Sequence, residues 1–178
     1  MKRRIALLGV FVLAALVAPS KAAEGVWLDV PFIAQEAEGC GAASLAMVMD
    51  YWRGHGMTAA APADAPEIFR QLNDPDRKGI PAKAMPKYLQ THGFTAFTFS
   101  GEWADLRHHV ERGRPLIIAL KTGADSFHYA VVAGVSDATI SLNDPADRKL
   151  RLFSREDFEK QWLATGQWTL LAVPRPKS

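Results

Sequence analysis

The second half of the chain constrains the fold most. From residue 114 onward short apolar runs crowd together: "RPLIIALK" (114–121), "FHYAVVAGV" (127–135), "TISLNDP" (139–145), "RKLRLF" (148–153) and "QWTLLAVP" (167–174). Runs of this length, rich in β-branched and aromatic residues and separated by turn residues, read as strands. The first half carries helical patterns. Leu45, Val48, Met49 and Trp52 fall at i, i+3, i+4 and i+7, predicting a helix over 41–53 that faces a core. A short helix is expected at 67–72, others at 82–91 and 101–113, and one from the cap Ser154 through Trp162. "VWLDVPFIAQ" (26–35) reads as an extended edge segment and 93–100 as a strand. Helices mostly early and an antiparallel sheet late make an α+β class. There is no internal repeat, low-complexity tract or linker, so residues 23–178 read as a single domain.

Residues 1–22 read differently. Lys2, Arg3 and Arg4 precede the apolar run Ile5 to Ala18, and Ser20-Lys21-Ala22 offers small residues where a signal peptidase cuts. The run is shorter than the roughly 20 residues that span a bilayer. A cleaved signal peptide ending at Ala22 is expected, with an uncleaved anchor as the alternative. No cysteine lies near the cut, which excludes a lipidated N-terminus. The segment holds four basic residues (Lys2, Arg3, Arg4, Lys21) of the chain's 21. The remainder therefore has 17 against 19 acidic ones, a net charge of −2 rather than +2. No basic stripe remains, so nucleic acid is not an expected partner, nor is a membrane once the signal is removed. The expected location is extracytoplasmic, periplasmic or secreted.

An exported chain with one cysteine cannot form an internal disulfide. Such a thiol is buried and inert, paired between chains, or kept because it reacts. Cys40 stands between Gly39 and Gly41 at the start of the 41–53 helix. Free N–H groups and partial positive charge there favour the thiolate. The flanking glycines are expected to let the chain turn sharply and a substrate come close. Of five histidines, His55 and His92 fall in turns. His108 and His109 are about 100° apart on one helix, and a solvated face is expected for them. His128 lies within an apolar strand, which would hold an imidazole still as a general base. Such a histidine is otherwise a satisfied core residue. "NDP" ends the following strand at 143–145, and a hairpin would bring Asp144 to His128 to orient the ring. The same tripeptide at 73–75 puts Asp74 in a loop between helices. An oxyanion would need donors, for which the Cys40 N–H and the Gln35 amide are candidates.

"VPFIAQEAEGCGAASLAMVMDYW", "FHYAVVAGV" and "LNDP", in that order, resemble the bacteriocin-processing cysteine peptidases, the double-glycine leader peptidase family of the papain-like group. The resemblance covers most of the chain after residue 22. It implies a papain-like fold with Gln35 as oxyanion donor, Cys40 as nucleophile, His128 as base and Asp144 as orienter. Familiar members are N-terminal domains of ATP-driven exporters. This chain is expected to carry its own signal, as a stand-alone exported branch would. The gap from Gln35 to Cys40 is one residue shorter than in papain-like enzymes, and a turn at Gly39 is expected to absorb it. The expected activity is thiol hydrolysis of a peptide or other amide, with a peptide or protein as substrate and with no metal or organic cofactor implied. Acyl transfer by the same site and an inactive binding module of the same fold are the alternatives. The complete set of four residues argues against the second, and the lack of a second cysteine against redox chemistry.

Overall fold

The computed structural model describes residues 25–57, 63–76, 78–124 and 126–176. The expected signal peptide lies outside them. The elements are β1 (Val26–Trp27), α1 (Cys40–Gly54), α2 (Ala65–Leu72), α3 (Ala84–Thr91), β2 (Phe94–Ser100), α4 (Trp103–Glu111), β3 (Leu116–Lys121), β4 (Phe127–Val135), β5 (Thr139–Asn143), β6 (Arg151–Ser154), α5 (Arg155–Leu163) and β7 (Trp168–Pro174). All strand pairs are antiparallel. The sheet runs β2-β7-β3-β4-β5-β6, with β1 paired to β4. This is the expected mix of helices and antiparallel sheet.

The sheet is covered on both faces. On one, α1, α2 and α3 bury Leu45, Met47, Val48, Ile68 and Leu89 against Ile117, Val131 and Leu170. On the other, α4 and α5 bury Leu106, Val110, Phe158 and Trp162 against Leu116, Ile118, Val132 and Leu142. The alternation of Ile117 and Val131 with Ile118 and Val132 is the period-2 geometry of a strand buried on both sides. Helix α1 exceeds its expected one-sided stripe: every residue from Gly41 to Met49 is buried, as is Tyr51. Small side chains at Ala42, Ala43, Ser44 and Ala46 allow that enclosure. Among the described residues no helix is long and apolar enough to cross a membrane.

Two strands are shorter than the sequence suggests. Only Val26–Trp27 of the 26–35 segment pairs with β4. Beyond Leu28, whose N–H reaches the Ala133 carbonyl at 2.6 Å, the chain is held by a side chain. The amide of fully buried Asn143 donates to the carbonyls of Val30 and Pro31 at 3.0 and 3.4 Å. Strand β6 begins at Arg151 rather than 148. The backbone before it is used elsewhere: the Arg148 carbonyl accepts from Asp144 N–H (3.1 Å), and Leu150 N–H donates to Asn143 Oδ1 (3.0 Å).

Candidate active site

Cys40 is the first residue of α1, so its N–H has no carbonyl one turn back within the helix. The approach to it is a tight turn in which Gly39 N–H donates to the Glu36 carbonyl at 3.0 Å. The turn expected at Gly39 falls one residue earlier. Glu38 takes the left-handed conformation (φ 59°), and Gly39 has an ordinary φ of −88°. Gly39 is needed for space instead, because a Cβ there would stand 3.1 Å from the Glu36 carbonyl oxygen. Gly41 likewise does not open a path to substrate. A Cβ on it would meet Ile80 Cβ at 3.1 Å and the Tyr129 ring at 3.3 Å, so this glycine seats α1 on its neighbours.

The hairpin β4–β5 does what its sequence suggests. Val131 pairs with Asn143, and the chain leaving β5 places Asp144 beside His128. His128 Nε2 donates to Asp144 Oδ1 at 2.6 Å. His128 also hydrogen-bonds the Cys40 thiol. With Nε2 engaged by Asp144, that second contact falls to Nδ1. Cys40, His128 and Asp144 thus form a continuous chain, with the His128 side chain 14 % exposed and that of Asp144 4 %. Gln35 stands next to them, tied by its N–H to the Pro145 carbonyl at 2.9 Å. Its buried Oε1 has no partner among the described residues.

The charges are tuned by these contacts. Burial pushes the Cys40 thiol up. Hydrogen bonds from His128 and the Tyr129 N–H, the charge of His128 and the Gly41 N–H outweigh it, leaving the thiol below its ordinary value. Burial pulls His128 down, but hydrogen bonds to Asp144 and Cys40 and the charges of both carry it up to about 9. Burial would raise Asp144. His128, Arg151 and the Ala146 N–H hold it instead at about 2. Each shift favours the charged form, thiolate, imidazolium or carboxylate, within one set of coupled groups.

Cys40, His128 and Gln35 face a cleft of about 890 Å³, walled also by Tyr129, Ile80 and Trp168. Tyr129 lies against Trp168 with ring centroids 5.4 Å apart, and burial with the nearby Cys40 charge pushes its hydroxyl up to about 12.

The remaining histidines lie apart from this chain of groups. His55 and His92 end α1 and α3, each with Nδ1 2.7 Å from the carbonyl of a tyrosine one turn back. His108 is exposed, but His109 corrects the expectation of a solvated face. Its ring packs near Phe99 (centroids 6.1 Å apart), and its Nδ1 is buried. Asp74 sits in the 73–79 turn, where its N–H donates to the Gly79 carbonyl at 2.9 Å.

Sequence reasoning missed Asn143 and Arg151. Asn143 fastens the segment leading to Gln35 onto the strand leading to Asp144. Arg151 donates to Asp144 Oδ2 at 2.7 Å. The only signal for either was proximity in sequence to Asp144.

Residues 27–170 match the Peptidase_C39 like family. No curated protein matches the chain. Among solved structures it is similar to a double glycine motif protease from an AMS/PCAT transporter in complex with its leader peptide. There the identity is 26 % and the TM-score 0.65, over 84 % of this chain and 95 % of that one. It is also similar to a C39-like peptidase from Bacillus anthracis (20 % identity, TM-score 0.64, 86 % of this chain and 100 % of that one). The peptidase domain of Streptococcus ComA is similar as well (21 %, 0.64, 81 % and 98 %). The extent of the family match, on an α+β fold with a cysteine at a helix start, establishes that the chain belongs to the Peptidase_C39 like family and with it to the cysteine peptidases of papain-like fold.

Proposed function

We propose that the protein is an exported thiol peptidase in which Cys40, His128 and Asp144 act as a triad and Gln35 assists. The reading rests above all on the unbroken contact from thiol to imidazole to carboxylate, opening on one cleft. The Cys40 thiolate attacks the scissile carbonyl carbon. The carbonyl π pair moves onto oxygen, where the Cys40 N–H and the Gln35 amide donate to it. As the tetrahedral adduct collapses, the C–N bond breaks and His128 gives its proton to the leaving amine. A thioester remains. His128, now neutral, takes a proton from water as its oxygen attacks that thioester. The acid departs, and thiolate and imidazolium are restored. Asp144 keeps the ring's Nε2–H directed at itself so that Nδ1 faces the sulfur. A peptide substrate is favoured by similarity to the protease crystallised with a leader peptide. Export is favoured by the basic start and apolar run of residues 2–18.

The test is the pH profile of iodoacetamide labelling at Cys40, read by intact mass, for the wild type, His128→Ala and His109→Ala. Rapid labelling at about pH 6 that is lost in His128→Ala and kept in His109→Ala is the expected outcome. A single inflection near the ordinary thiol value, unmoved by His128→Ala, would sink the reading.

A further inference from the structure

The Asp144 carboxylate has two oxygens and two sets of partners. Oδ1 accepts from His128 Nε2 (2.6 Å) and Ala146 N–H (3.1 Å), and Oδ2 accepts from Arg151 Nη1 (2.7 Å). Asp144 is almost wholly buried, so Oδ2 has little water to fall back on. The guanidinium is itself fixed. Its Nε stands 3.3 Å from Asp147 Oδ2, and its plane lies over Phe153 at 4.5 Å. Its position comes from the sheet: Arg151 opens β6 opposite Leu142, whose chain reaches Asp144 two residues on.

We propose that Arg151 is a positioning residue of the site. By holding Oδ2 it fixes the plane of the Asp144 carboxylate against His128, and by sharing that carboxylate's charge it keeps His128 able to release its proton. This rests on the triad reading above. A carboxylate bound only at Oδ1 can swing about its Cβ–Cγ bond and carry the imidazole with it. An uncompensated carboxylate also grips the imidazolium harder, and a ring that grips its proton is a poorer acid toward a leaving amine. The other charges near this cluster are accounted for. Asp147 is shared by Arg151 and Arg148 (3.6 Å), Lys149 pairs with Asp29 (2.5 Å), and the Cys40 thiol faces the ring from α1. None of these contacts Oδ2.

The experiment uses the full chain labelled with 13C-histidine, with the His128 signal assigned by its loss in His128→Ala. Its titration is followed in the wild type, Arg151→Gln and Arg151→Lys, beside Cys40 labelling by iodoacetamide at pH 6. Arg151→Gln keeps a donor and removes the charge, so His128 should titrate higher by about half a pH unit. Arg151→Lys should return it to within about 0.2 of the wild type. Labelling in Arg151→Gln should change by severalfold, with the circular dichroism spectrum intact. No shift in Arg151→Gln, a downward shift, or a shift that lysine does not reverse would overturn the proposal. A wild-type His128 titrating at its ordinary value would instead overturn the triad reading itself, so the two failures are distinguishable.

Discussion

Asn-Asp-Pro occurs at 73–75 and again at 143–145, and the two copies have different fates. The first closes a turn on the surface. Asp74 is half-buried, its N–H bound to the Gly79 carbonyl and its Oδ1 accepting from Asp76 N–H at 3.1 Å. The second follows a strand in the middle of the fold. Asn143 is fully buried, and Asp144 is 3 % exposed. The same three residues serve turn chemistry at both places, since asparagine and aspartate cap and proline stops a strand. What separates them is what lies across the sheet. Beside the second copy, β4 presents His128 and β6 presents Arg151, and burial makes each contact with the carboxylate count for more. The chemical meaning of the tripeptide comes from the elements around it.

The largest expected effect breaks this comparison at the aspartates. Asp144→Asn should reduce the labelling rate of Cys40 at pH 6 by about 10- to 100-fold. The neutral amide no longer supports the imidazolium and turns its ring toward the wrong tautomer. Asp74→Asn should change it less than about twofold, because asparagine keeps the oxygen that faces Asp76. Equal effects at the two positions would mean that burial and the His128 contact are not what set Asp144 apart.

A second, smaller effect sharpens the comparison at the asparagines. Asn143→Ala removes three hydrogen bonds and strands the carbonyl of Val30, the carbonyl of Pro31 and the N–H of Leu150. A loss of about 3 kcal/mol in folding free energy is expected from urea unfolding. Asn73 has a buried Oδ1 without a partner among the described residues, so Asn73→Ala should cost less than about 1 kcal/mol. A cost at Asn73 matching that at Asn143 would place the fold's dependence on the turn chemistry rather than on the clamp.

These contrasts also mark what a sequence can carry. The strand β4 is legible residue for residue as Phe127–Val135 because its signal is local, an apolar run ended by turns. The approach of Asp144 to His128 is legible because a hairpin has only one way to fold back. Arg151 is not, because its reach to Oδ2 depends on where β6 starts. That start is set by the Arg148 and Leu150 backbone being drawn to Asp144 and Asn143. The turn before Cys40 differs from its expected place for a related reason. Glycine is the usual residue at positive φ, but here Glu38 adopts it, at a cost of about 1 kcal/mol. Gly39 is reserved for a contact with the Glu36 carbonyl that no pattern along the chain announces. Gly41, too, is explained only by Ile80 and Tyr129, which lie 39 and 88 positions away.

The smallest effect concerns the pH dependence of stability, which the second Asn-Asp-Pro should shape through Asp144 and its partner His128. Asp144 is ionised more readily in the folded chain (about 2) than its ordinary 3.8. Its contribution is therefore complete above 3.8 and is lost as pH falls through about 2. His128 holds its proton more tightly when folded, at about 9 against an ordinary 6.5. Its contribution is complete below 6.5 and is lost as pH rises through about 9. Cys40 opposes it. Its folded value lies below its ordinary 9.0, so as pH rises toward 9 the folded chain releases the thiol proton before the unfolded chain does, which offsets part of the His128 effect. Stability should therefore fall less across that range in the wild type than the His128 shift alone would make it. Cys40→Ala removes the compensation, because the unfolded chain then has no proton to set against that of His128. Its stability, followed by urea midpoint, should decline steadily above pH 6.5. A decline of the same slope in wild type and Cys40→Ala would show that the thiol keeps its proton in the folded chain, and that Asp144 and His128 then titrate as a pair without it.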